Sequence, residues 1–324
     1  MSRKLLFLTL ILALLLPLPL ASAQDKIVLK AGHCVDENHP YHHGLLKLSE
    51  LLQERTNGKI SIHVYHSSQL GPDRSLIEGM QMGMVDMAAT SSAPVTGFLP
   101  EMTVYDLPFL FTTREHAYKV MDGPIGQDML DKLKPKGVIA LGYYENGFRQ
   151  MTNNVRPINK PEDLKNIKIR VMESKAPIAT FRALGANPTP MAWGEVFTAL
   201  QQNTIDAQEN PLTVIYGQRV YEVQKYLSMT NHFYSPAVLM ISKITLDRLS
   251  PEEQKIMLEC AAESITYQRQ VSEQQDRDFL DLLKKTGIEV TENIDYAPFI
   301  EATKPVYNEF KQYADLIKRI QDAK

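Results

Sequence analysis

The sequence predicts an α/β protein of two lobes, and three observations carry that prediction. Strand-like and helix-like hydrophobic patterns alternate from residue 26 onward, the signature of helices packed on sheets. The chain has 324 residues, and single hydrophobic cores stop growing near about 250–300 residues, so two cores are expected. A helical pattern runs from Pro251 to about Lys285. At 1.5 Å per residue it would span about 50 Å, more than one lobe needs, so it is expected to tie two lobes together.

Residues 1–23 read as a secretory signal peptide. Ser2-Arg3-Lys4 is a positive start, Leu5 to Leu20 an apolar run broken by Pro17 and Pro19, and Ala21-Ser22-Ala23 a small-residue cleavage site. A retained spanning helix would need about 20 apolar residues without such breakers. No cysteine follows the cleavage site, which argues against a lipid anchor. The mature chain then starts near Gln24, has 301 residues and works in the periplasm. Losing Arg3 and Lys4 moves its formal net charge from −3 to −5. With no basic block a nucleic-acid partner has little support. Cys34 and Cys260 are the only cysteines. Export permits a bridge between them, but sequence separation says nothing of proximity, and a free buried thiol behaves as a small hydrophobe.

In order along the chain, residues 26–31 read as a first strand. After Pro40 a helix carries Leu45, Leu48, Leu51 and Leu52 on one face and closes at Asn57-Gly58. Ile60, Ile62 and Val64 alternate with polar residues as a half-buried strand. Residues 75–82 form a short helix and 85–89 an apolar strand; 94–108 is proline-punctuated and irregular, and 112–133 holds two helical stretches. Residues 138–143 are a strand leading to Asn146-Gly147, a turn signal where the chain is expected to change lobes. Then follow a short helix at 160–164, a strand at 167–172, a helix at 174–184 ended by Gly185, a helix at 196–202, a strand at 205–208 and a helix at 211–221. Ser250, Pro251 and Glu253 form the capping signature of the long helix, and Gly287 ends it. The expected division is 24–147 plus 236–275 for lobe I, and 148–235 plus 276–324 for lobe II.

Arg170 leads the candidate functional residues. Ile167, Ile169 and Val171 share one strand face, while Lys168, Arg170 and Met172 share the other. Ligands of α/β sheets bind at the carboxyl ends of strands, and a guanidinium holds a carboxylate through two parallel hydrogen bonds. A solvated arginine, or a salt bridge to Glu162 or Asp163, is the structural alternative. Arg149, just past the expected turn, is the second candidate, with an exposed arginine as its alternative. Asn210 precedes Pro211 and is expected at a helix N-cap, where its amide could also meet an anion. Trp193, the only tryptophan, is either a core residue or a planar wall for a ligand.

His33, His39, His42 and His43 fall within eleven residues, but no HExxH pattern or companion carboxylate makes them a metal site. No GxSxG elbow, P-loop or GxGxxG fingerprint is present, so no cofactor is expected.

Read together, these residues resemble the solute-binding proteins of tripartite ATP-independent periplasmic (TRAP) transporters. The resemblance runs through Ser67-Ser68-Gln69-Leu70-Gly71-Pro72-Asp73-Arg74, Asn146-Gly147-Phe148-Arg149-Gln150, Ile169-Arg170-Val171 and the stretch from Pro188 to Pro211. It implies a two-lobed α/β periplasmic-binding fold with crossover strands and a long helix spanning both lobes. It also implies a monomeric binding protein rather than an enzyme, which captures a small organic acid and delivers it to large and small membrane permease subunits. By this resemblance Arg170 is the carboxylate clamp, Arg149 and Asn210 are further contacts, and Trp193, Asp73, Ser91 and His33 lie toward the ligand. Ser91 stands where sialic-acid binders carry a glutamate, and His33-Cys34 replaces small neutral residues, so another organic acid is expected. The rival readings are a sensory receptor for a signalling partner and an exported metal-dependent hydrolase using His33, His39 and His43.

Overall fold

The computed structural model describes residues 26–323; the expected leader lies outside them. Five strands form the first sheet: β1 (Ile27–Gly32), β2 (Ile60–Tyr65), β3 (Met87–Ser91), β4 (Val138–Phe148) and β10 (Tyr234–Ser242). Their order is β2-β1-β3-β10-β4, with β1 parallel to β2 and β3, and β10 antiparallel to both its neighbours. The second sheet contains β5 (Gln150–Asn153), β6 (Lys168–Val171), β7 (Asn187–Pro190), β8 (Ala207–Asn210), β9 (Tyr226–Ser228) and β11 (Glu289–Thr291), in the order β11-β9-β5-β8-β6-β7.

Each sheet buries both faces, as a helix-covered sheet must. In the first, Leu29, Ala31, Met87 and Leu239 pack with Leu45, Leu48 and Leu52 of the helix Pro40–Arg55. Ala88, Val138, Val238 and Met240 face the other way, onto Met102, Tyr105 and Met129. In the second lobe, Ile169 and Val171 pack with Phe181 and Phe299. Leu227 joins Val196, Leu200 and Leu212 on the opposite side. Two sheets with separate cores are the two lobes the chain length called for.

The lobe crossing differs from the expected turn. β4 continues straight through Asn146-Gly147 for 11 residues. An Asn-Gly pair makes a hairpin only where no long partner strand competes, and β10, buried along its whole length, is that partner. Ser235 pairs with Gly147 and Pro236 with Glu145, which leaves Asn146 as a bulge. Gly147 has φ 116, a conformation that needs glycine. The chain then passes through Arg149 into β5, and Phe233 leads back into β10. The Arg149 amide donates to the Phe233 carbonyl at 2.9 Å, so two crossover strands lie side by side.

The helix Pro251–Leu283 is the third connection. Its capping box is formed by Ser250 and Glu253. Met257, Cys260 and Ala261 enter the first-lobe core and Leu283 the second. Between them, Gln268 bonds the backbone of Glu145 on both sides, at 2.8 and 2.7 Å. The buried Glu145 carboxylate accepts from Arg114 at 2.9 Å, from Ser272 and Tyr234 at 3.3 Å, and from Tyr118. That hub locks the long helix to the crossover strand.

Three further expectations are corrected. Residues 276–324 do not all belong to the second lobe, because Val306, Phe310, Ile317 and Ile320 pack in the first-lobe core. His116 Nε2 also bonds the Ile320 carbonyl at 2.7 Å. The helix expected at 211–221 is Leu212–Gly217 followed by a left-handed Arg219 (φ 56) and a tight turn at Val220–Glu222. Asn210 is no N-cap: it ends β8 opposite Gln150, and Pro211 takes the cap position. Cys34 and Cys260 are both free.

Candidate functional site

The carboxyl ends of β1, β3, β6 and β8 converge between the lobes, where an α/β protein is open to ligands. They surround about 590 Å³ of space free of protein atoms, its mouth included. Arg170, Arg149, Asn210, Trp193, Asp73 and Ser91 all line it. The sequence reading therefore finds six of its seven candidates around one cavity.

His33 does not line it. Burial is complete there, and its Nε2 meets His42 Nδ1 at 3.1 Å. The residue after it, Cys34, faces the cavity instead, because consecutive residues leaving a strand point to opposite sides. His39 is also occupied elsewhere, with its Nδ1 capping the helix at Tyr41 and its Nε2 3.4 Å from Thr213 Oγ1.

Arg170 sits where the period-two pattern places it. Ile169 and Val171 are fully buried in the core, so the guanidinium projects from the opposite face. Its Nε donates to the Met191 carbonyl at 2.9 Å, and its Cζ lies 5.6 Å from the centroid of the Trp193 ring. No ion pair engages it among the described residues, and the salt bridges to Glu162 or Asp163 do not form. Burial, then the neighbouring Arg149, push its pKa down to about 10.

Arg149 is held differently. Its Nη2 donates to the Glu209 carbonyl at 2.6 Å, to Glu209 Oε1 at 3.0 Å and to Asn210 Oδ1 at 3.0 Å, while Nε engages Glu209 Oε2. Nη1 is buried without a partner. Burial opposes the charge of Glu209, yet Arg149 and His232 keep its carboxyl below the usual range. His232 is held below its ordinary value by burial and is neutral near pH 7. A carboxylate only accepts, so His232 Nε2 carries the proton toward Glu209 at 3.2 Å, and Nδ1 meets Thr230 Oγ1 at 2.8 Å. Asn210 completes the scaffold by donating to Gln208 Oε1 at 2.7 Å.

The electrostatic result is asymmetric. Arg149 is neutralised by Glu209, whereas Arg170 is a buried cation that no carboxylate hydrogen-bonds. A buried charge without a partner is costly, so the cavity is built to receive an anion. Trp193 opens the helix Trp193–Gln201 of the second lobe and touches the cores of both lobes, closing one wall. Ser91 Oγ is engaged by Ser235 Oγ at 3.0 Å and faces Met172 Sδ at 3.5 Å.

Sequence reasoning missed Tyr41, Asn146, Cys34 and Glu209. Cys34 follows β1 directly, and the rule about strand ends would have found it. The bulge that turns Asn146 inward depends on β10, which that reading did not identify as a strand.

A two-lobed α/β scaffold with an anion-seeking cavity between its lobes defines a solute-binding protein. Residues 31–313 match the profile of the DctP family, bacterial extracellular solute-binding protein family 7, and the chain belongs to that family. It is 38% identical over 299 residues to the 2,3-diketo-L-gulonate-binding periplasmic protein of Escherichia coli, covering 91% of both chains. A TRAP periplasmic solute-binding protein from a Polaromonas species, solved with D-erythronate, superposes with a TM-score of 0.90 at 40% identity. That match covers 91% of this chain and 98% of the other. The sugar acid binding protein of Advenella mimigardefordensis, in complex with galactonate, gives a TM-score of 0.90 at 36% identity, covering 92% and 98%.

Proposed function

We propose that this protein captures a small organic acid by its carboxylate, held between Arg170 and Arg149, and delivers it to TRAP-type membrane permease subunits. The observation that carries this reading is the pair of guanidiniums lining one cavity, Arg170 free of any ion pair and Arg149 with an unpartnered Nη1. Asn210 acts by holding Arg149 in place, and Trp193 supplies an apolar wall over Arg170. The acids bound by the relatives support the choice of carboxylate over other anions. Contacts from both lobes favour the shut state, which is all that ligand-driven closure requires. Membership of an extracellular solute-binding family supports delivery to a permease and the periplasmic location it needs.

The test is a thermal-shift screen of the mature chain against sugar acids, short dicarboxylates, 2-oxo acids and aromatic acids. A ligand at a hundred times its Kd adds about 2.7 kcal/mol to the native state. Melting points unmoved by every acid, but raised by an uncharged sugar, would overturn the clamp. Adjacent genes for a large and a small membrane subunit support transport; an adjacent sensor kinase points to signalling.

A further inference from the structure

Exposed large hydrophobic side chains are ordinary when they stand singly. Four of the nine among the described residues instead share one pole of the first lobe: Val28 (58% exposed), Met82 (60%), Met84 (57%) and Ile244 (46%). The backbone brings them together. The helix Asp73–Gln81 starts at the cavity and runs away from it, and Met82-Gly83-Met84 then turns the chain toward β3. A methyl group placed on Gly83 would lie 3.4 Å from Ile244, so this turn packs on the short helix Lys243–Asp247 that follows β10. β1 runs parallel to β3 with Ala31 beside Met87, which sets Val28 level with Met84. The Gln81 side chain donates to the Lys136 carbonyl at 2.9 Å, and the Lys243 amide to the Gly137 carbonyl at 3.1 Å. Those bonds draw the tight turn Lys134–Lys136 alongside.

The rim of this apolar cluster is basic. Lys243 pairs with Asp247, and Arg248 reaches Asp86 at 3.5 Å. Lys30, Lys134 and Lys136 are exposed and form no ion pair among the described residues. Three cations thus stay uncompensated around two exposed methionines, on a chain whose formal net charge is −3. A second copy of the chain would bring the same cations against them, and like charges across a contact oppose association. Apolar knobs inside a cationic rim instead match the boundary of an anionic bilayer, where the knobs enter the headgroup layer and the lysines meet phosphates. We propose that this pole seats the protein reversibly on an anionic phospholipid surface. The cavity lies at the other end of β1 and β3, so a protein seated in this way holds its cleft away from the bilayer, open to solute.

The test is co-sedimentation of the mature chain with vesicles of phosphatidylglycerol or of phosphatidylcholine at low ionic strength. Each uncompensated lysine near an anionic surface strengthens binding about fivefold, so the three together favour phosphatidylglycerol by about a hundredfold. High salt removes that preference. Lys134→Gln combined with Lys136→Gln lowers binding to phosphatidylglycerol by about 25-fold. Met82→Ser combined with Met84→Ser lowers it by at least about tenfold, because the apolar contact with the headgroup layer is lost. All four side chains are exposed, so both double variants keep the melting temperature of the parent, which scanning calorimetry checks. Equal binding to the two lipids, binding to neither, or undiminished binding by either folded double variant overturns the inference. A dimer in sedimentation velocity that Met82→Ser with Met84→Ser dissolves also overturns it, because the pole then belongs to a second copy.

Discussion

Replacing Arg170 by methionine separates the two energetic roles the cavity assigns to it. In the ligand-free protein the guanidinium is buried, free of ion pairs among the described residues, and has a pKa pushed down from its ordinary value to about 10 by burial and then by Arg149. A shift of that size is about 3 kcal/mol against the charged form. The lost bond to Met191 and the contact with Trp193 return about 1–2 kcal/mol. Arg170→Met therefore stabilises the empty protein by about 1–2 kcal/mol, a melting temperature higher by about 2–6 °C. Binding moves the other way. Two charged hydrogen bonds at about 1.5–3 kcal/mol each are lost, so Kd rises by about 10²–10⁴. Arg170→Lys keeps the charge but neither the planar fork nor the Met191 contact, and falls between the two. Scanning calorimetry with and without ligand gives both numbers from one preparation. A destabilised empty variant would show that Arg170 is a structural ion, and unchanged affinity would show that the carboxylate is held elsewhere.

Glu209→Gln leaves Arg149 buried without its counter-charge, at a cost of about 3–5 kcal/mol. Urea unfolding should show that loss, and bound ligand should recover more stability than in the parent protein, because its carboxylate becomes the only counter-charge. A ligand-induced gain smaller than in the parent refutes the pairing. The buried Asp106, with Ser92 donating to its Oδ1 at 3.2 Å and its Oδ2 unpartnered, is pushed up from 3.8 to about 7 by burial. The folded protein therefore holds a proton there that the unfolded chain releases near pH 4. Its contribution to stability is greatest below that pH, falls as pH rises and levels off above about pH 7. Asp106→Asn should flatten the dependence of the urea midpoint between pH 5 and 7.5; an unaltered slope would place the titration elsewhere.

The site was legible wherever a local pattern fixes a direction. Strand alternation alone put Arg170 on the face away from Ile169 and Val171, and it could be read before any contact was known. The α/β class and the capping box at Ser250 were open to the same kind of reading, because each depends on neighbours within a few residues, and the two lobes followed from chain length. Asn210 shows the limit. Its place beside Pro211 suggested a cap, but pairing with Gln150 and the pull of Arg149 decided its role, and both partners lie about sixty positions away.

Local sequence determined the periodicities: which residues can share a face, where helices start, and which charged side chains leave a strand toward its ligand end. Tertiary structure alone decided how charge is balanced. Pairing Arg149 with Glu209 and leaving Arg170 without a carboxylate requires strands to meet at a lobe crossing where the Asn146-Gly147 signal suggested a turn and the chain stays extended. Periodicity is a property of consecutive residues, whereas counter-charge depends on burial and distance through space, and those exist only once both lobes have packed.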